Sequence, residues 1–156
     1  MVWLIAFVFS WVIFAIFVDM KRLRFTIYGG IITVIMGTVV DWGGRELGLY
    51  RFNDNIINWA HNSLFYIFGP VLTMGVLFFQ FLNRDKRIQA VNILIFSLTY
   101  LAMEYLTVKT GTAAYQHWHY LASFFIDLLV FSTLSYYGEI IMDILEGKGT
   151  FLHSKR

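Results

Sequence analysis

Five apolar runs, each closed by charged or interfacial residues, fall at about 2–18, 25–42, 62–82, 88–108 and 120–142 and leave few folds open to this chain. A helix needs about 20 residues to cross about 30 Å of hydrocarbon, and with their flanks the runs come near that length. Of the 156 residues 58% are apolar and only 14% charged, more hydrophobic surface than a water-soluble domain of this size can bury. The expected fold is an all-α polytopic membrane helix bundle of about five transmembrane helices. No Pro/Gly/Ser-rich linker divides the runs, so residues 1–156 read as one integral membrane domain. Multi-pass residence in a cell membrane, with lipid as the first partner, follows from that fold.

The absence of cysteine removes disulfides, thiolate metal sites and cysteine nucleophiles together. The net charge is only +2, and the basic residues form short clusters beside apolar runs rather than a face that could follow a phosphate backbone, which argues against a nucleic-acid partner. The first run begins uncharged and ends in bulky Phe17 and Val18 before Lys21, Arg22 and Arg24. A cleavable signal peptide has the opposite arrangement, so this run is expected to be a retained span. Pro70, the sole proline, lies in the third run and predicts a kink there.

Basic residues also predict orientation. Lys21, Arg22 and Arg24, then Arg84, Lys86 and Arg87, then Lys148, Lys155 and Arg156 all fall on one side of a five-span chain. The positive-inside rule makes that side cytoplasmic, with the N-terminus outside and the C-terminus in the cytoplasm.

A repeat is legible at a constant spacing of 63 residues, which sets Arg24 on Arg87, Asp41 on Glu104 and Gly48 on Gly111. Each copy reads as a basic anchor, an apolar helix, an acid near its far end, a glycine turn and a tyrosine, Tyr50 or Tyr115. The tyrosines depart from the spacing by two residues. Segments 21–83 and 84–143 would form a parallel repeat, because two spans separate the copies. Coincidence competes with duplication here, since basic flanks and glycine turns are common in membrane proteins.

An acid within an apolar span is costly, so it calls for a partner, a cavity or a pathway. Asp41, Glu104 and Asp127 are the three candidates, and all are expected at similar depth near the outer surface. Tyr50, Tyr115 and Trp118 would join them as ligand-binding residues in one polar layer. Each acid also has a plain structural reading. Asp41 can be a helix end at the interface, paired with Arg45 or Lys109; Glu104 can hydrogen-bond Tyr100 or Tyr105; Asp127 is followed directly by the apolar Leu128, Leu129, Val130 and Phe131.

His117 and His119 could chelate a divalent metal with Glu104 or Asp127 if their segment is extended, and would point apart in a helix. The competing reading of Tyr115 to His119 is a belt of amphipathic rings at the headgroup level. The stretch Asn55 to His61 suggests a short amphipathic connection or a lid. Glu139 and Asp143 are expected to face water at the cytoplasmic end.

With Asp41, Gly48, Tyr50, Phe79-Gln80, Glu104, Gly111, Tyr115 and His117-Trp118-His119 in this order, the chain resembles a family of small, functionally uncharacterised multi-span membrane proteins from spore-forming Gram-positive bacteria. The similarity runs in register from about Lys21 to Asp143. An acid near the end of the fourth span, the following Gly and Tyr, and a His-Trp-x-His run recur in that family. They map onto Glu104, Gly111, Tyr115, His117, Trp118 and His119. That family often has prolines after the first glycine turn, where this chain has Arg51-Phe52-Asn53-Asp54. The resemblance implies the multi-span fold and brings no activity with it.

Three functions are compatible with this reading. The first is a non-enzymatic membrane protein whose outer polar layer binds a cation or small ligand, for transport or sensing. The second is a metal-assisted membrane enzyme on lipid or envelope substrate, for which no G-x-S-x-G nucleophile motif is present. The third is a structural or assembly subunit acting with a partner membrane protein or as a homo-oligomer.

Overall fold

The computed structural model describes residues 2–53, 58–59 and 62–147. Among them the chain is mostly helical, with α1 at Val2–Phe17, α2 at Leu23–Glu46, α3 at Leu64–Gln80, α4 at Lys86–Lys109 and α5 at Tyr120–Leu145. A 3-10 turn, Met20–Arg22, leads into α2. Three of these helices, α2 with its leading turn, α4 and α5, are long and apolar enough to cross a membrane, while α1 and α3 are shorter apolar helices. His61, most of the connection from Asn55, and the basic residues Lys148, Lys155 and Arg156 lie outside the described residues.

Glycine, rather than the end of apolarity, stops the long helices. Hydropathy alone ends the second run at residue 42, yet α2 continues through Trp42 to Glu46. Gly48 then takes φ 66°, and Gly111 takes φ 73° after α4. A backbone that turns left-handed costs glycine nothing and lets the last carbonyls find partners. At the first turn Leu49 N donates to Gly44 O (2.9 Å) and Gly48 N to Arg45 O (2.9 Å). At the second, Thr112 N donates to Thr107 O (3.0 Å) and Gly111 N to Val108 O (3.0 Å). The two turns are the same motif at the 63-residue spacing.

The all-α expectation needs one addition. Each turn delivers the chain into a short strand, β1 at Tyr50–Phe52 and β4 at Ala113–Tyr115, and the two pair antiparallel with Arg51 opposite Ala114. Asn53 N donates to Thr112 O and Gln116 N to Leu49 O, both at 2.9 Å, so the ladder exchanges equivalent bonds about its centre. Three-residue strands carry too little periodicity to be read locally, and their pairing joins segments far apart in sequence. A second pair, β2 (Asn58–Trp59) with β3 (Asn62–Ser63), precedes α3.

The disturbance expected at Pro70 takes the form of one wide π turn, Ile67–Val71, inside α3. Proline has no N–H for the helical ladder and its ring collides with the preceding turn, which the wider turn accommodates.

Packing divides the bundle into two tight pairs, α2 with α3 and α4 with α5. At the first crossing Gly29 faces Gly75 so closely that a Cβ on either would lie 2.5 Å from the other's carbonyl oxygen. Phe78 and Phe79 of α3 meet Phe131 and Leu134 of α5, which joins the pairs, and α1 lies on α3 through Phe14 against Val76. The faces turned outward stay apolar, with Ile5, Phe9, Ile16, Val39, Ile95, Leu106, Leu121 and Leu129 exposed. Such a surface is a liability in water and matches hydrocarbon as a solvent.

The end of the bundle opposite the strands carries the two described basic clusters, Lys21, Arg22 and Arg24 with Arg84, Lys86 and Arg87. There Arg84 bridges Asp143 (2.8 Å) and Glu146 (3.0 Å), and Lys86 pairs with Glu139. Asp85 accepts from Arg87 N at the start of α4, and Asp19 accepts from Lys21 N before α2. Glu139 and Asp143 therefore meet cations as well as water.

Candidate functional site

The fold places Asp41 near the end of α2 and Glu104 in the last turns of α4. Asp127 lies about two turns into α5, counted at 3.6 residues per turn. All three line one cavity, with about 80 Å³ open to the centres of water-sized spheres, beneath the β1–β4 ladder. Tyr50, Tyr115 and Trp118 line the same space. The six ligand-binding candidates of the sequence therefore share one wall, although each comes from a different element or connection.

Local geometry fixes several of them. Gly44 has no side chain because the Tyr50 ring lies against it, where a Cβ would sit 2.5 Å from the ring edge. From that seat the Tyr50 hydroxyl donates to Asp41 Oδ1 at 3.0 Å. Burial, with Asp41 and Glu104 nearby, raises the Tyr50 phenol above its ordinary pKa, so it stays a donor. On the other side Trp118 Nε1 donates to Ser123 Oγ (2.6 Å), and Ser123 Oγ donates to Glu104 Oε1 (2.8 Å). Burial likewise raises the Tyr115 phenol, and its hydroxyl lies 3.4 Å from Ser123 Oγ.

Asp127 differs from the other two acids. It is 8% exposed, and its Oδ2 is buried with no hydrogen-bond partner among the described residues. Glu104 Oε2 is in the same position. A buried carboxyl oxygen that nothing serves is expensive, by about 1–3 kcal/mol on protein mutational scales. Asp41 is engaged by Tyr50, and Arg45 at the rim stacks on the Phe52 ring with 5.7 Å from guanidinium carbon to centroid.

Some of the wall was not visible in the sequence as site. Tyr66 of α3 and Tyr100 of α4 hydrogen-bond each other across the cavity floor. Trp3 of α1, 1% exposed, packs on Tyr66 (4.8 Å) and Phe52 (5.7 Å). Ser123 is the hinge of the Glu104 network. Tyrosine and serine inside apolar runs are ordinary core and interface residues, so nothing local marks them. Their one available signal is position, since each falls at the depth of an acid.

The histidines are placed elsewhere. His117 and His119 are exposed and do not line the cavity. His119 is extended, with φ −152° and ψ 157°, but its Nδ1 accepts from Ala122 N (3.2 Å) and caps α5. Among the described residues no group of three His, Cys, Asp or Glu side chains is placed to hold a metal ion. Chemically the arrangement offers charge and hydrogen-bond acceptance within an aromatic wall, and among the described residues no basic side chain lines it. No family model matches the chain, and no curated protein or solved structure matches it.

Proposed function

We propose that this chain is a multi-pass cell-membrane protein, crossing about five times with its strand end outside, whose cavity binds a cationic ligand for transport or sensing. Three long apolar helices, two shorter ones and apolar outward faces support the membrane reading. The two basic clusters among the described residues, at 21–24 and 84–87, both lie at the opposite end, which supports the orientation. The shared 63-residue spacing of helices, glycine turns and strands supports reading 21–83 and 84–143 as a parallel repeat.

The observation that carries the binding function is Asp127, a carboxyl buried in a cavity with two further acids, one oxygen of which has no partner among the described residues. Such a group burdens the fold and gains most from a cation that arrives from outside. The test is isothermal titration of purified protein with potassium, magnesium, calcium, choline and 1,4-diaminobutane, repeated on Glu104→Ala and Asp127→Ala. At least one cation should bind the wild type and lose binding in both variants, each of which still melts cooperatively. Binding that survives in both, or a folded wild type that binds none of the five, rejects the proposal.

A further inference from the structure

Three properties of the cavity bear on what kind of cation it takes. The first is size. About 80 Å³ is open to the centres of water-sized spheres, several times the about 10–15 Å³ that one water needs on that measure, so the space suits a molecule of several heavy atoms better than a bare ion. The second is the separation of the acids. Asp41, Glu104 and Asp127 line one space, yet no three His, Cys, Asp or Glu side chains among the described residues close on a common point. A metal ion needs its oxygens in a single shell at about 2.0–2.6 Å, whereas a molecule several atoms long can meet acids one at a time. The third is the wall. Trp3, Tyr50, Tyr66, Tyr100, Tyr115 and Trp118 surround the carboxyls with rings. Ring faces attract weakly hydrated ammonium groups through their quadrupole, and this attraction strengthens when water is excluded. Small inorganic cations keep their water and gain little from such a wall.

Resting on the cation-binding reading above, we propose that the ligand is an organic ammonium ion. Its charged nitrogen lies near Asp127 and Glu104, and its carbon groups lie against the tyrosine and tryptophan rings. Anions are disfavoured by three acids and by a lining with no basic side chain among the described residues. A neutral ligand would leave the buried Asp127 and Glu104 oxygens uncompensated. Binding would be reported by the cavity's own fluorophores, since Trp3 and Trp118 both line it.

The experiment is titration of the purified full chain in neutral detergent, followed by tryptophan fluorescence and calorimetry. The probes are choline, 1,4-diaminobutane, calcium, potassium and 3,3-dimethylbutan-1-ol, the uncharged carbon isostere of choline. At least one of the two amines should bind with a stoichiometry of one and change the tryptophan emission. The isostere should bind about 100-fold more weakly, the discrimination expected when the charge facing a buried carboxyl is removed. Asp127→Asn should weaken amine binding by a similar factor. Trp118→Phe, which keeps the wall aromatic while removing its N–H, should weaken it only several-fold and serves if Asp127→Asn does not fold. Asp127-dependent binding of calcium or potassium, with neither amine binding, overturns the ammonium assignment and leaves the cation reading standing. An isostere that binds as tightly as choline also overturns the assignment. Failure of every probe to bind the folded wild type overturns both.

Discussion

The two ends of the bundle treat their acids in opposite ways. At the basic end Asp19 and Asp85 cap backbone amides, Glu139 meets Lys86, and Asp143 and Glu146 share Arg84. Each lies where water can also reach it, so removing a partner leaves an ordinary solvated carboxylate. At the strand end the acids sit inside the fold, served unevenly by Tyr50 and Ser123, with Asp127 Oδ2 served by no described residue. The same chemical group anchors one end and burdens the other. An acid that stabilises its surroundings needs no further explanation, whereas one that strains them is what the binding proposal sets out to explain.

The largest expected effect tests whether the two ends face opposite sides at all. Because the chain has no cysteine, Gln116→Cys and Lys86→Cys each introduce a unique thiol. In intact cells a membrane-impermeant maleimide should label the Gln116 position and spare the Lys86 position until the membrane is opened. Equal labelling of both in intact cells would break the comparison. Next in size, Ser123→Ala removes the donor to Glu104 Oε1 and the acceptor of Trp118 Nε1 in one step. Unfolding in detergent should register a loss of about 1–3 kcal/mol, the cost of leaving buried polar atoms unserved. A neutral result would mean that water supplies both bonds and that the strand end is wetter than its burial implies. The smallest effect is assigned to Arg84→Ala, whose guanidinium is exposed and whose pKa is raised, chiefly by its hydrogen bond to Asp143. Exposed ion pairs contribute little, so the melting temperature should not move measurably. A large drop there would show that the basic end is more than a solvated anchor.

Much of the helical scaffold was legible because an apolar run is a dense signal, repeated over some twenty positions. The carboxyls at Asp41, Glu104 and Asp127 were legible for the opposite reason, since each is a single costly exception within such a run. What local reading missed depends on contacts between distant segments. Tyr66 and Tyr100 acquire meaning only once α3 and α4 bring their hydroxyls together. Ser123 matters because a tryptophan and a glutamate happen to meet on it. The ladder between Tyr50–Phe52 and Ala113–Tyr115 was hidden because each strand is three residues long and its partner is remote. The sequence did carry a trace of it in the shared spacing of Gly48 and Gly111. His119 shows the limit of motif spacing, since its backbone is extended, as chelation requires, and its Nδ1 serves as a helix cap, a role the spacing did not signal.

The ladder also determines how the strand end is held together. Helices α2 and α4 belong to different pairs, and over the cavity the segments that follow them are tied chiefly by main-chain bonds, with Asn53 Nδ2 donating to Gly111 O (3.0 Å) beside the ladder. The covering of the strand end is thus a frame of peptide links, with Arg51 opposite Ala114 at its centre. A residue inserted into either glycine turn would shift the register of the whole frame. Loop length at the two glycine turns, and not only the side chains below, therefore sets how the strand end is closed.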